Sequence, residues 1–318
     1  MSNKGGYKSY LEIHIAVLLF GFTAILGKFI VFDQLALVWH RMWIAVVGLL
    51  LFPGVIKGIL SISKRSLLTF AAIGVVVSIH WVSFFASVKL GNVSIALACM
   101  ATTTLFISFL EPIITKSKFQ WFELIIAVFV IAGLLLILDI GAAYYASILV
   151  GLLAAFLAAL FSTMNKQYLK EHNPISVSAV ELLAGFLFLT LVIPFFEGGL
   201  DFSNYSLTQP GLISEYPLFG LHLHSMWYLL VLGLLCTSVA YVLALSSLRG
   251  LSAFSAGLAV NLEPVYGVVM AILIFNEDNE LTTNFYIGTS LIFLSVIIHP
   301  VITRLQKRRT KKLLQRVP

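Results

Sequence analysis

Long apolar runs, each near the length needed to cross the roughly 30 Å of hydrocarbon in a bilayer, succeed one another along the chain. Short clusters of charge, Gly and Pro separate them. This punctuation yields ten runs, near 11–31, 35–56, 67–89, 92–115, 120–140, 147–169, 175–196, 225–248, 252–275 and 283–303. They are continuously apolar and lack the period of two that marks a barrel strand, so each predicts a membrane helix. The expected fold class is an all-α polytopic membrane protein with ten transmembrane helices. One long connection, about 197–224, is rich in Gly, Pro and Ser and reads as a surface loop.

Composition supports this. Of 318 residues, 60% are hydrophobic and 11% are charged, whereas soluble domains carry about 25% charged residues. Placing the N-terminus inside puts 17 of the 20 Lys and Arg residues on the cytoplasmic side, leaving Lys28, Arg41 and Lys89 outside. The outer loops are acidic, with Asp33, Asp139, Glu197, Asp201, Glu215, Glu277, Asp278 and Glu280. Both termini are therefore expected in the cytoplasm, and the basic stretch 304–318 reads as a membrane-flanking tail, not a nucleic-acid surface. The first run holds Lys28 near its end and has no A-x-A-type cleavage site, so it is expected to stay in the mature protein. Cys99 and Cys236 lie within apolar runs, which leaves no disulfide framework and no Cys-rich metal site.

The chain also repeats itself. At an offset of 160, Trp81 falls on Tyr241, Ala96 on Ala256 and Phe106 on Tyr266; near 140, Arg41 falls on Glu181. Five spans per half is odd, so the second half enters the membrane from the opposite side. Residues 1–143 and 144–303 then form an inverted pair, an arrangement carriers use to open a central site to each side in turn. The stretches 86–97 (ASVKLGNVSIAL) and 244–256 (ALSSLRGLSAFSA), with Asn261, Glu263, Pro264 and Glu277, resemble the paired EamA domains of the drug/metabolite transporter superfamily. Thr104 and Ser117 stand where Pro264 and Glu277 would repeat. The resemblance implies an inner-membrane carrier, often an exporter of amino acids or similar small metabolites, whose cavity is lined by the first, third and fourth helix of each half.

Ionisable groups inside a membrane are functional candidates by default. Glu111 shares a helical face with Thr104, Ser108 and Thr115, which reads as a wet path or as a locally hydrogen-bonded carboxylate. Glu263 precedes Pro264, which frees a backbone carbonyl four residues earlier and kinks the ninth span, a geometry that reads as polar backbone offered to substrate or as an ordinary membrane-helix kink with Glu263 bonded to nearby backbone. Glu111 and Glu263 are the proton-coupling candidates. Arg41 and Glu181 read as structural ion-pair members, with Asp33 and Lys166 as partners. For substrate binding the candidates are His80, Trp81, Phe84, Thr103, Tyr241, Asn261 and Tyr266, because aromatics with polar tips cover an apolar group while fixing one polar atom. No Walker-type, H-E-x-x-H or G-x-S-x-G pattern occurs, and His222, His224 and Glu215 lack regular ligand spacing. No catalytic residue, metal or cofactor is expected. The partners expected are a small-molecule substrate and the lipid bilayer, with room for a homodimer. The rival reading is an intramembrane enzyme using Glu111, His80 or the outer-loop histidines for acid–base chemistry.

Overall fold

The computed structural model describes residues 3–91, 93–137, 144–170, 172–195, 224–263, 265–266 and 283–314. Outside them lie Pro264, His222, Glu277 and most of the acidic outer loops, namely Asp139, Glu197, Asp201, Glu215, Asp278 and Glu280, as well as the side chain of Lys28. The described chain is helical: α1 (Asn3–Phe29), α2 (Gln34–Leu50), α3 (Val55–Leu60), α4 (Lys64–Leu90), α5 (Val93–Ala101), α6 (Thr103–Thr115), α7 (Trp121–Ile137), α8 (Tyr145–Tyr168), α9 (Pro174–Val192), α10 (Ser225–Gly233), α11 (Ala240–Ser247), α12 (Ala253–Val260) and α13 (Thr283–Leu314). A π-helical segment, Leu234–Val239, joins α10 to α11. Among the described residues five helical stretches are long and apolar enough to cross a membrane: Lys64–Leu90, Ile95–Thr115, Tyr145–Tyr168, Pro174–Phe195 and Ser225–Ser247.

Local chemistry sets the boundaries. Asp33 caps α2 by accepting from Ala36 N at 2.9 Å, as Ser63 and Asn173 cap α4 and α9. The second run, expected to continue to residue 56, stops at Leu50 because Pro53 and Gly54 turn the chain, with Gly54 at φ 84° in the left-handed region. The fourth run is broken at Thr102, whose hydroxyl donates to Cys99 O at 2.6 Å. The ninth is interrupted after Val260 by a turn at Asn261 and Leu262, and Glu263 is helical again. The last helix continues to Leu314, past the expected end of the span and into the basic stretch.

Polarity is distributed inside out. On α9, Ser176, Ser178 and Glu181 are buried, while Leu183, Leu187 and Leu191 point outward, Leu191 72% exposed. A helix with an apolar outer face and a polar or small inner face suits lipid, where association depends on close packing of small residues. Accordingly α8 turns Gly151, Ala154, Ala155, Ala158 and Ala159 inward against α4 and α6. Ser87 and Ser147 lock α4 to α8 by exchanging hydroxyl-to-carbonyl hydrogen bonds, each 2.8 Å.

Many helix contacts recur under exchange of the two repeats read from the sequence. α1 packs on α11 as α8 packs on α4; α2 packs on α10 and the π segment as α9 packs on α4; α1 packs on α12 as α8 packs on α5 and α6. α2–α9 and α7–α13 pair with their own counterparts. The first and third helices of opposite halves thereby enclose the centre.

Candidate functional site

That centre holds a cavity of about 140 Å³. Its walls come from α1 (Thr23), α2 (Arg41), α4 (His80, Trp81, Phe84), α6 (Thr103), α8 (Phe161, Asn165) and α11 (Tyr241), with Glu263 beyond α12. A cavity of about 150 Å³ accommodates a molecule the size of benzene.

Arg41 is its cation. The side chain is 3% exposed and reaches the cavity from the second turn of the capped helix α2. Nε donates to Thr237 Oγ1 at 3.1 Å, and the guanidinium carbon lies 4.1 Å from the Trp81 ring centroid. The π segment positions Thr237. Within it Thr237 and Ser238 turn their hydroxyls back along the helix, donating to the carbonyls of Leu232 and Gly233 at 2.7 and 2.9 Å. Thr237 thus offers its oxygen lone pairs to Arg41. Hydrogen-bonded through Nε alone among the described residues, the guanidinium keeps both Nη groups for a ligand. Glu263 faces the same cavity, half-buried, and interacts electrostatically with Arg41.

The aromatic walls are held from behind. Trp81 and Tyr241, aligned by the internal repeat, meet edge-to-face at 6.1 Å. His80 is oriented by Nδ1–H donating to Ala154 O at 2.8 Å, a carbonyl that only accepts, and packs 5.4 Å from Phe161. Thr103 carries a buried hydroxyl with no hydrogen-bond partner among the described residues. Asn261 and Tyr266 are not among the lining residues. Asn261 turns the chain after α12, its Nδ2 buried without a partner, and Tyr266 packs against the apolar cluster around Ile107 and Leu258.

Neither expected ion pair forms. Asp33 is the α2 cap, and Arg41 turns instead to Thr237 and Trp81. Lys166 Nζ donates to Leu248 O at 2.6 Å. Glu181 Oε2 receives the Tyr241 hydroxyl at 2.5 Å and Asn165 Nδ2 at 3.3 Å.

Glu111 lies away from the cavity. Its two oxygens accept from Ala253 N at 3.0 Å and Phe254 N at 2.8 Å, so a carboxylate of α6 caps the positive end of α12. Thr104, Ser108 and Thr115, expected to line a wet path with it, each donate to a carbonyl of their own helix turn. Glu111 and His80, the acid–base partners of the enzyme reading, are thus committed to separate helix contacts. Removing the cap strands two buried N–H groups, so Glu111→Ala should destabilise the protein by about 3 kcal/mol. Thermal unfolding in detergent measures this, and Glu111→Gln, which keeps one acceptor, should recover part of the loss.

Among the described residues no group of three or more His, Cys, Asp or Glu side chains could hold a metal ion. Arg41 and Asn165, with Thr23 and Phe161, are among the lining residues that sequence reasoning did not assign to the site. The available signal for Arg41 was Asp33 placed three residues before Ala36, a capping position that removes the supposed partner.

The sequence model of the EamA-like transporter family matches residues 8–139 and 146–299. No curated protein matches the chain. A solved structure described as "Crystal structure of protein" superposes with a TM-score of 0.72 over 96% of this chain and 100% of that chain, at 14% identity. A likeness at that identity speaks for the fold alone.

Proposed function

This chain belongs to the EamA-like transporter family, and from that premise we propose that it is a secondary carrier for a small zwitterion, an amino acid or close analogue. The carrying observation is Arg41 and Glu263 facing one small aromatic-walled cavity. A carboxylate fits the two free Nη groups of Arg41 as a bidentate pair. An ammonium fits Glu263, and an apolar side chain fits Trp81 and Phe84. Thr103 and His80 supply further polar contacts.

Ten spans in two inverted halves, 1–143 and 144–303, supply the alternating access. The exchange symmetry of the helix contacts supports this reading, and the positive-inside count favours both termini in the cytoplasm. Export across the inner membrane follows from the family resemblance, and a homodimer is compatible with the apolar outer faces. Glu111 is assigned to the α6–α12 junction and Glu263 to the substrate, which takes both from the proton-coupling role.

The test is uptake of labelled amino acids by purified protein in liposomes. Glycine, L-alanine and L-valine are expected to enter, while dicarboxylates and diamines are not. Glu263→Gln removes the counter-charge of the ammonium and should raise the KM for L-alanine about tenfold, the scale of one charge-assisted hydrogen bond. An unchanged KM would remove Glu263 from the site.

A further inference from the structure

Behind the cavity wall lies a second polar site that substrate binding does not use. Glu181 is 0% exposed and does not line the cavity, yet Tyr241 and Asn165, its two hydrogen-bond partners, do. Among the described residues its Oε1 has no partner, and neither has Asn165 Oδ1. This buried carboxylate also has no counter-ion among the described residues, and a charge so placed favours taking up one positive charge. Hard metal cations take about six oxygen ligands, more than this pair supplies. A proton needs one.

The helices packed around α9 leave Tyr241 as the titratable group in contact. From α4, Gly74 and Ser78 face α9, and the His80 ring is held by Ala154. From α2, Arg41 is held by Thr237, and His40 Nδ1 accepts from Trp43. Lys166 of α8 serves Leu248, and Lys57 of α3 is exposed. α11 contributes Tyr241 itself.

We infer, resting on the carrier reading, that Glu181 with Tyr241 is the coupling proton site of this protein, reached from the cavity through the Tyr241 hydroxyl. A proton from the cavity binds the Tyr241 oxygen as that hydroxyl passes its own proton to Glu181 Oε2. The neutral acid then donates back to the Tyr241 oxygen, and the new Tyr241 O–H points into the cavity, where it donates to the substrate. Loss of the proton returns the hydroxyl to Glu181. One step therefore changes both the charge behind the wall and the hydrogen bonding in front of it. Asn165 holds Oε2 in place.

Purified protein in vesicles of phosphatidylethanolamine and phosphatidylglycerol carries two readouts. With labelled L-alanine and an internal pH dye, wild type moves protons in fixed ratio to alanine, and a gradient of about one pH unit sustains about tenfold accumulation. Glu181→Gln is expected to bring the proton-to-alanine ratio toward zero and abolish the accumulation, whatever its total rate. Without substrate, infrared difference spectra between acid and alkaline pH should contain a protonated-carboxyl band that Glu181→Gln removes and Tyr241→Phe shifts. A ratio and band that survive Glu181→Gln overturn the assignment, as does accumulation driven by sodium alone. Absent alanine flux in wild type overturns the zwitterion reading instead, and the infrared band still decides Glu181.

Discussion

Arg41→Ala is expected to lower L-alanine transport about 100-fold at subsaturating substrate. Losing a bidentate, charge-assisted contact costs about 3 kcal/mol, and every 1.4 kcal/mol is about tenfold. The effect should fall on transport more than on folding. Thr237 keeps its bond to Leu232 O, and Trp81 keeps its edge contact with Tyr241. Arg41→Lys should not rescue, because an ammonium cannot bond Thr237, lie flat over Trp81 and offer two parallel donors at once. Initial rates in liposomes, paired with unfolding temperatures in detergent, separate the two effects. Near-normal rates in Arg41→Ala would show that the cavity does not bind carboxylates through this residue.

Gly74→Ala should largely prevent accumulation of folded protein. A Cβ on Gly74 would collide with the main-chain carbonyl of Glu181 and approach its Cα to 2.8 Å; one on Gly185 would come within 2.7 Å of Gly74 O. Both obstacles are backbone, so relief requires α4 and α9 to separate over their whole crossing. Overpacking commonly costs about 1–3 kcal/mol where side chains can yield, and here none can. Gly27→Ala is the control, since its Cβ would sit at an ordinary 3.6 Å from Phe85 Cε1. Yield of monodisperse protein and unfolding temperature should fall for Gly74→Ala and hold for Gly27→Ala.

What the sequence made legible follows from which physical signals are local. Apolar runs and capping residues mark helices, and α4, α8 and α9 begin within three residues of their expected starts. Breaks inside runs were harder, because Thr102 is an ordinary residue and the π segment at Leu234–Val239 has no composition of its own. For the site, His80, Trp81 and Phe84 share one face of one helix, so period alone groups them. The repeat then aligned Trp81 with Tyr241, and the two meet at the cavity. Arg41 and Glu181 were read as members of ion pairs because their actual partners lie far off in the chain. Thr237 is 196 residues from Arg41, and Tyr241 is 60 from Glu181. For Glu111 the face shared with Thr104, Ser108 and Thr115 leaves a wet path and a hydrogen-bonded carboxylate equally open, and its partners, main-chain amides of α12, are ones no side-chain pattern reveals.

The most direct test of a zwitterion held between Arg41 and Glu263 is competition in a liposome exchange assay with labelled L-alanine. Unlabelled L-alanine should compete fully. Alaninamide, which lacks the carboxylate, and propionate, which lacks the ammonium, should each compete at least about tenfold more weakly, because each leaves one cavity charge unmet. Equal competition by either analogue would contradict recognition of both charges at this site.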